Sequence, residues 1–315
     1  MAQVITVLGG SGFVGRHVVQ RLAKTGAQVR LGVRNIELAK RLKPLGDVGQ
    51  IVPMTVDIAR GTGLAAAMAG ADVVINLVGI LAPGGSNKSF QAVQAEGAQR
   101  AAEAAKAAGV PRFIQMSALG ADADSESEYA QTKAAGEAAV LALYPDAAIF
   151  RPSIIFGPDD GFFNKFAAMA RTAPALPLIG GGATRFQPIF VGDVADAIVK
   201  AVTDPSVRGI YEIGGPKAYS FKELMQFTLT ASHLSALLLP VPFPVAAFIG
   251  LFVGMLPGAP ITLDQVKLLK VDNLPSGKFP GLKELGIAGA TVEAIMPAYL
   301  ARFQPGGRFG SLHGA

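Results

Sequence analysis

The sequence predicts an α/β protein built as a Rossmann-type doubly wound parallel sheet with a smaller C-terminal lobe. Three observations predict it. Short β-branched runs alternate with alanine-rich helical stretches, a glycine-rich turn joins the first run to the first helix, and the alternation breaks where glycine and proline cluster between Gly157 and Pro188.

Gln3 to Leu8 is a β-branched run ending in glycines, and Val14, Val18 and Leu22 follow at helical spacing, giving strand, tight turn and helix. Strand-like runs recur at Gln28–Val33, Gln50–Val56, Asp72–Val78 and Arg112–Met116, separated by helical stretches such as Ala92–Ala108. A βαβ series of this kind closes into a parallel sheet. The helical segment Tyr129–Leu143 leads to a further strand at Ala147–Arg151. Pro188–Val191 and Ile210–Ile213 read as late strands flanking a helix that starts near Asp193, and they are expected to rejoin the first domain. The predicted division is therefore 1–156 plus 187–213 for the nucleotide-binding domain, and 157–186 plus 214–315 for a lobe facing a partner or substrate. From Leu234 to Leu263 there is no charged residue, yet Pro240, Pro242, Pro244, Pro257 and Pro260 interrupt the stretch. Its proline-free core, Val245–Leu256, is too short to cross about 30 Å of hydrocarbon. Gln304–Ala315 reads as a Gly/Arg-rich tail.

Half of the residues are hydrophobic (50%), 38 are glycine and only 16% are charged, which describes a packed protein and excludes a disordered one. The formal charge of +5 and the pI near 9.4 suit an anionic cofactor, an acidic partner or an anionic membrane surface. No basic run with interleaved aromatics is present, so nucleic acid is not an expected partner. The absence of cysteine excludes disulfides and thiolate-held metal or iron–sulfur centres, and His17, His233 and His313 are too scattered to suggest a metal site. Met1–Leu8 lacks a basic leader region and reads as a strand, not a signal peptide, which points to a cytoplasm-like compartment.

The turn Gly9-Gly10-Ser11-Gly12-Phe13-Val14-Gly15 places Gly9, Gly12 and Gly15 at G-x-x-G-x-x-G spacing between strand and helix. Missing side chains there allow a tight turn, close approach of backbone to a pyrophosphate and close helix packing, with the phosphates at the helix N-terminus. The end of the second strand, where a carboxylate would take a ribose 2′-hydroxyl, holds Arg34. A guanidinium has no acceptor for a hydroxyl but pairs with a 2′-phosphate, so NADP(H) is expected over NAD(H), with Arg16 as a second donor. Asp57, with Ile58 beside it after the third strand, is placed to take the adenine amine or to cap the following turn. Leu77, Val78 and Gly79 end the fourth strand and would line the crevice.

Tyr129 and Lys133 stand four apart on a predicted helix, hence on one face, where an ammonium can lower a phenol's pKa. With Ser117 at the end of the fifth strand they form a set able to protonate a carbonyl as hydride arrives, and Lys133 would also hold the nicotinamide ribose.

Gly9 to Gly15, Asp57, Ser117, Tyr129-x-x-x-Lys133 and Arg151 to Pro158 together resemble the short-chain dehydrogenase/reductase superfamily in its extended or atypical branch. That resemblance implies that Pro152 and Ile154 contact the nicotinamide end. The wording of Asn76–Leu81, Ser117–Asp122, Gly180–Pro188 and Leu239–Pro244 resembles, more narrowly, the family of NAD(P)H-binding accessory subunits of respiratory complex I, the NADH:ubiquinone oxidoreductase, and its bacterial relatives. This implies tightly held NADPH serving structure or assembly, subunits of the peripheral or quinone arm as partners, and a peripheral place on the cytoplasmic face of the inner membrane. The uncharged 234–263 stretch would then meet another subunit or the membrane interface; it equally suits an ordinary packed lobe. Because Ser117, Tyr129 and Lys133 all persist, a free-standing NADPH-dependent reductase or sugar-nucleotide epimerase stays open as the alternative, and whether the chain is an enzyme is left undecided.

Overall fold

The computed structural model describes residues 2–84, 88–252 and 261–305; Pro257, Pro260 and nearly all of the Gly/Arg-rich end fall outside them. The chain divides into two compact units. One comprises Met1–Pro152, Val194–Ile213 and Gly277–Ile287, the other Ser153–Asp193, Gly214–Ser276 and Ala288–Ala315.

The first unit is a seven-stranded sheet in which every pairing is parallel. Its strands are β1 (Val4–Leu8), β2 (Gln28–Val33), β3 (Ile51–Thr55), β4 (Val73–Asn76), β5 (Arg112–Met116) and β6 (Ala148–Pro152), joined after four short strands of the second unit by β11 (Gly209–Ile213). Their spatial order is β11-β6-β5-β4-β1-β2-β3, so the order reverses between β1 and β4. Ligands of doubly wound sheets bind at the carboxyl ends of the strands where that reversal occurs. Val73 to Asn76 are all buried, as a central strand covered on both faces requires. Pro53, which cannot donate to a ladder, sits in β3 at the sheet edge.

The helices of this unit are α1 (Phe13–Lys24), α2 (Ile36–Lys40), α3 (Leu64–Met68), α4 (Glu96–Ala107), α5 (Glu128–Leu143) and most of α7 (Val191–Thr203), which follows α6 (Phe163–Thr172) of the second unit. On one face of the sheet Leu64, Met68, Ala98, Ala101, Ala105 and Val140 pack with Val74 and Phe113. The alanines let α4 lie close to α5. The helix expected at Ala92–Ala108 opens instead with a wide π-turn, Gln91–Ala95. Here α5 comes so near that a Cβ on Gly136 would stand 2.3 Å from the Gln94 carbonyl oxygen, so only glycine fits. Arg112 of β5 donates to the carbonyls of Ala201, Asp204 and Val207, closing the exposed C-terminal end of α7.

In the second unit the run read as a strand at Pro188–Val191 does not join the main sheet. Its two-residue core, β10 (Ile189–Phe190), pairs in parallel with β7 (Ile155–Phe156), because Pro188 lacks an N–H and Val191 already opens a helix. Two further pairs follow, β8 (Ala175–Ile179) with β13 (Leu237–Val241) and β9 (Arg185–Phe186) with β12 (Tyr219–Ser220). Helices α6, α8 (Phe221–Ser232) and α11 (Val292–Leu300) share a core containing Phe156, Phe163, Phe221, Leu224 and Met296. The buried Asp160 accepts the Tyr299 hydroxyl at 2.7 Å and the backbone N–H of Gly157 and Phe162, while Asn164 accepts from Arg302. Asn164 is thereby consumed in holding this loop to the turn Ala301–Phe303 that follows α11. Of the uncharged stretch, β13 and α9 (Phe243–Phe252) are described, with α10 (Leu263–Leu268) opening at its end; β13 and α9 leave Leu237, Leu239, Phe248, Leu251 and Phe252 at least half exposed.

Candidate dinucleotide-binding site

The glycine loop leaves β1 and enters α1 with its backbone folded hard on itself. Gly9 has φ +78°, and a Cβ on Gly15 would stand 2.4 Å from the Gly9 carbonyl oxygen. Side chains at these points would push α1 off the end of β1. The first turn of α1 has no side-chain cap and no acidic residue, so its free N–H groups face the loop unopposed.

Between this loop and the ends of β2, β3 and β4 lies a cavity of about 220 Å³. Gly9, Ser11, Gly12, Arg34, Asp57, Ile58, Leu77, Val78 and Gly79, all singled out from the sequence, line it. Gly32, Val33, Val56, Ala59, Ile80 and Val93 line it as well, and no sequence signal distinguished them from core residues. Phe13, Val14, Gly15 and Arg16, also singled out from the sequence, do not line it; the Arg16 guanidinium stands 5.7 Å from the centre of the Phe13 ring. Asp57 lines the cavity, and its Oδ1 accepts the N–H of Ala59 and Arg60, the cap of the following turn.

The catalytic candidates meet this cavity at Gly79. Lys133 Nζ lies 3.2 Å from where a Cβ on Gly79 would be and 3.5 Å from the Met116 carbonyl, immediately before Ser117. On the same helix the half-buried Tyr129 ring lies 5.8 Å from that ammonium and takes the edge of Phe90. Ser117 Oγ is buried without a hydrogen-bond partner among the described residues. Gln94 Oε1 is likewise buried and unpartnered, near the same Gly79. A glutamine inside a helix carries no signature, so the sequence reading missed it. Two buried, unsatisfied polar atoms beside a crevice fit a ligand bearing hydroxyl and amide groups. Pro152 ends β6 and accepts the N–H of Leu119, whereas Ile154 belongs to the second unit, where its carbonyl accepts from Ile189.

The residues present thus fit a dinucleotide: bare helix N–H groups for a pyrophosphate, a guanidinium at the rim, and an ammonium and hydroxyl at the far end. Among the described residues no cluster of His, Asp or Glu could hold a metal ion. Burial lowers the Lys133 pKa to about 8, with Glu137 pulling part of the way back.

Comparison with known proteins agrees with this geometry. Residues 5–214 match the family described as NAD dependent epimerase/dehydratase. The chain is 37% identical over 322 aligned residues, 98% of its length and 80% of the relative's, to the mitochondrial NADH dehydrogenase [ubiquinone] 1 alpha subcomplex subunit 9 of Arabidopsis thaliana. It is 33% identical over 243 residues, 76% of its length and 74% of the relative's, to a ceramide reductase of Caulobacter vibrioides. Among solved structures, a dTDP-glucose 4,6-dehydratase of Streptomyces venezuelae with NAD bound shares the fold, with a TM-score of 0.70 at 20% identity, covering 95% of this chain and 96% of that one.

The buried ammonium has a measurable cost. An unfolded lysine titrates near 10.5, so between about 8 and 10.5 the unfolded chain binds more protons and stability rises with pH. In the nucleotide-free protein Lys133→Met is expected to gain about 1 to 3 kcal/mol at pH 7 and to lose that part of the pH dependence. Urea unfolding at pH 7 and pH 10 checks this; identical pH profiles for the two proteins would contradict it.

Proposed function

The chain belongs to the NAD dependent epimerase/dehydratase family, and from that membership we propose that it is a nucleotide-holding accessory or assembly subunit of respiratory complex I, carrying NADPH as a resident, structural group. The observation that carries the proposal is a 37% likeness running over 98% of the chain to the Arabidopsis complex I subunit, far beyond the residues matched by the family as a whole. The chain's chemistry suits a role off the electron path, since without cysteine it can ligate no thiolate iron–sulfur cluster.

Arg34 at the rim of the cavity supports NADP(H) over NAD(H), because it offers a fork of donors to a 2′-phosphate where a 2′-hydroxyl would need an acceptor. The exposed apolar residues of β13 and α9 support a peripheral place against the quinone-arm subunits at the cytoplasmic face of the inner membrane. No helix among the described residues is long and apolar enough to cross a membrane. A second reading, a free-standing NADPH-dependent reductase, is favoured by one observation: Ser117 Oγ is buried and unpartnered beside Lys133, in an otherwise complete Ser/Tyr/Lys set.

Two experiments follow from these readings. Arg34→Ala is expected to weaken NADPH binding about tenfold or more, the worth of a charge-assisted hydrogen bond, while leaving NADH binding unchanged. Equal losses for both nucleotides in a fluorescence titration would remove Arg34 from that role. In mildly solubilised membranes the chain is expected to migrate with complex I on native gels, and Tyr129→Phe to migrate there undiminished. A chain found only free, with NADPH-dependent carbonyl reduction that Tyr129→Phe abolishes, would instead establish the reductase.

A further inference from the structure

Four charges run in alternating sign from the site into the sheet. Glu137 follows Lys133 by one turn of α5 and is buried. Its carboxylate accepts from Arg151 of β6 through both oxygens, Nε to Oε1 at 2.8 Å and Nη2 to Oε2 at 2.6 Å. Arg151 Nη1 lies 3.7 Å from Glu212 of β11, and the ring of Phe279 covers the guanidinium at 5.3 Å. All four charged side chains are at most 15% exposed.

A lysine and a glutamate four apart on a helix share a face and can pair with each other, though less favourably when, as here, the lysine comes first. Here they do not: Lys133 Nζ points to the Met116 carbonyl and Gly79, and makes no ion pair with Glu137. We infer that Glu137 and Arg151 are the positioning element of this ammonium: Arg151 occupies both carboxylate oxygens, which leaves Lys133 directed at the crevice instead of paired along its own helix. The inference rests on reading that crevice as a dinucleotide site. Were Arg151 lost, a buried Glu137 would need another partner, and Lys133 is the cation one turn away. The other groups facing Lys133 are Tyr129 on its own helix, Ser117 from the end of β5 and Gln94 from the π-turn. Beyond the pair lie Glu212 and, acting on Arg151 through space, Asp122.

The test is the pH dependence of NADPH affinity in the full chain, followed by nucleotide fluorescence between about pH 6.5 and 9.5. In the unaltered protein affinity falls as pH rises through about 8, where Lys133 gives up its proton. Glu137→Gln removes the anion that supports the ammonium, so the midpoint moves down. Arg151→Gln frees Glu137 to pair with Lys133, so the midpoint moves up while affinity at neutral pH drops. Opposite displacements from the two halves of one ion pair are what a positioning role requires. A loss of affinity equal at every pH, or displacement of both midpoints in one direction, would show the pair to be merely structural. Arg151→Lys keeps the charge without the fork and carries the same upward expectation if Arg151→Gln does not fold. If the unaltered chain binds no nucleotide at all, the site reading fails, and the Lys133 Nζ resonance followed by NMR through the same titration still reads the displacement.

Discussion

The structure depends on how closely the chain passes itself between β1 and α1. With a Cβ at residue 15 placed 2.4 Å from the Gly9 carbonyl oxygen, no other residue lets the helix start directly over the end of the strand. That proximity sets the bare N-terminus of α1 at the point where the sheet order reverses, between β1 and β4. The cavity follows from it, because the neighbouring strands end together there and supply Arg34, Asp57 and Gly79 to its walls.

The same crevice holds a buried ammonium that costs the unit stability. Lys133 is buried against backbone, with its pKa lowered by the loss of water, and Ser117 and Gln94 beside it each keep a polar atom without a partner. A protein selected for stability alone would gain by replacing such groups. Their retention makes sense if a ligand with hydroxyl, amide and phosphate groups completes the hydrogen bonds, and then the ligand is part of what holds the unit together. A resident dinucleotide can in this way be structural and still sit against a complete Ser/Tyr/Lys set.

Much of this was legible before any coordinates. The β-branched runs at residues 3–8, 28–33 and 112–116 became strands because each alternates with a helix long enough to cover the sheet. Nine of the residues singled out for the cofactor line the cavity, since glycine spacing and strand ends are local features that the sequence displays directly. What escaped was set by contacts distant in sequence. Gln94 owes its place to a π-turn pressed on Gly136, and the return of Gly277–Ile287 to the first unit rests on such contacts as the Glu212 N–H with the Pro280 carbonyl. The polar groups of Asn164 are spent on Arg302, 138 residues on, and on its own loop. Pro188–Val191 had strand composition but too little free backbone to enter the sheet.

The account turns on a dinucleotide held in the cavity as a lasting component of the molecule. Native mass spectrometry of the chain, released from membranes without denaturation, measures this directly. One NADPH per chain, retained through dilution and released on unfolding, is the predicted result. A chain isolated intact with no nucleotide, or with one lost on simple dilution, would contradict it.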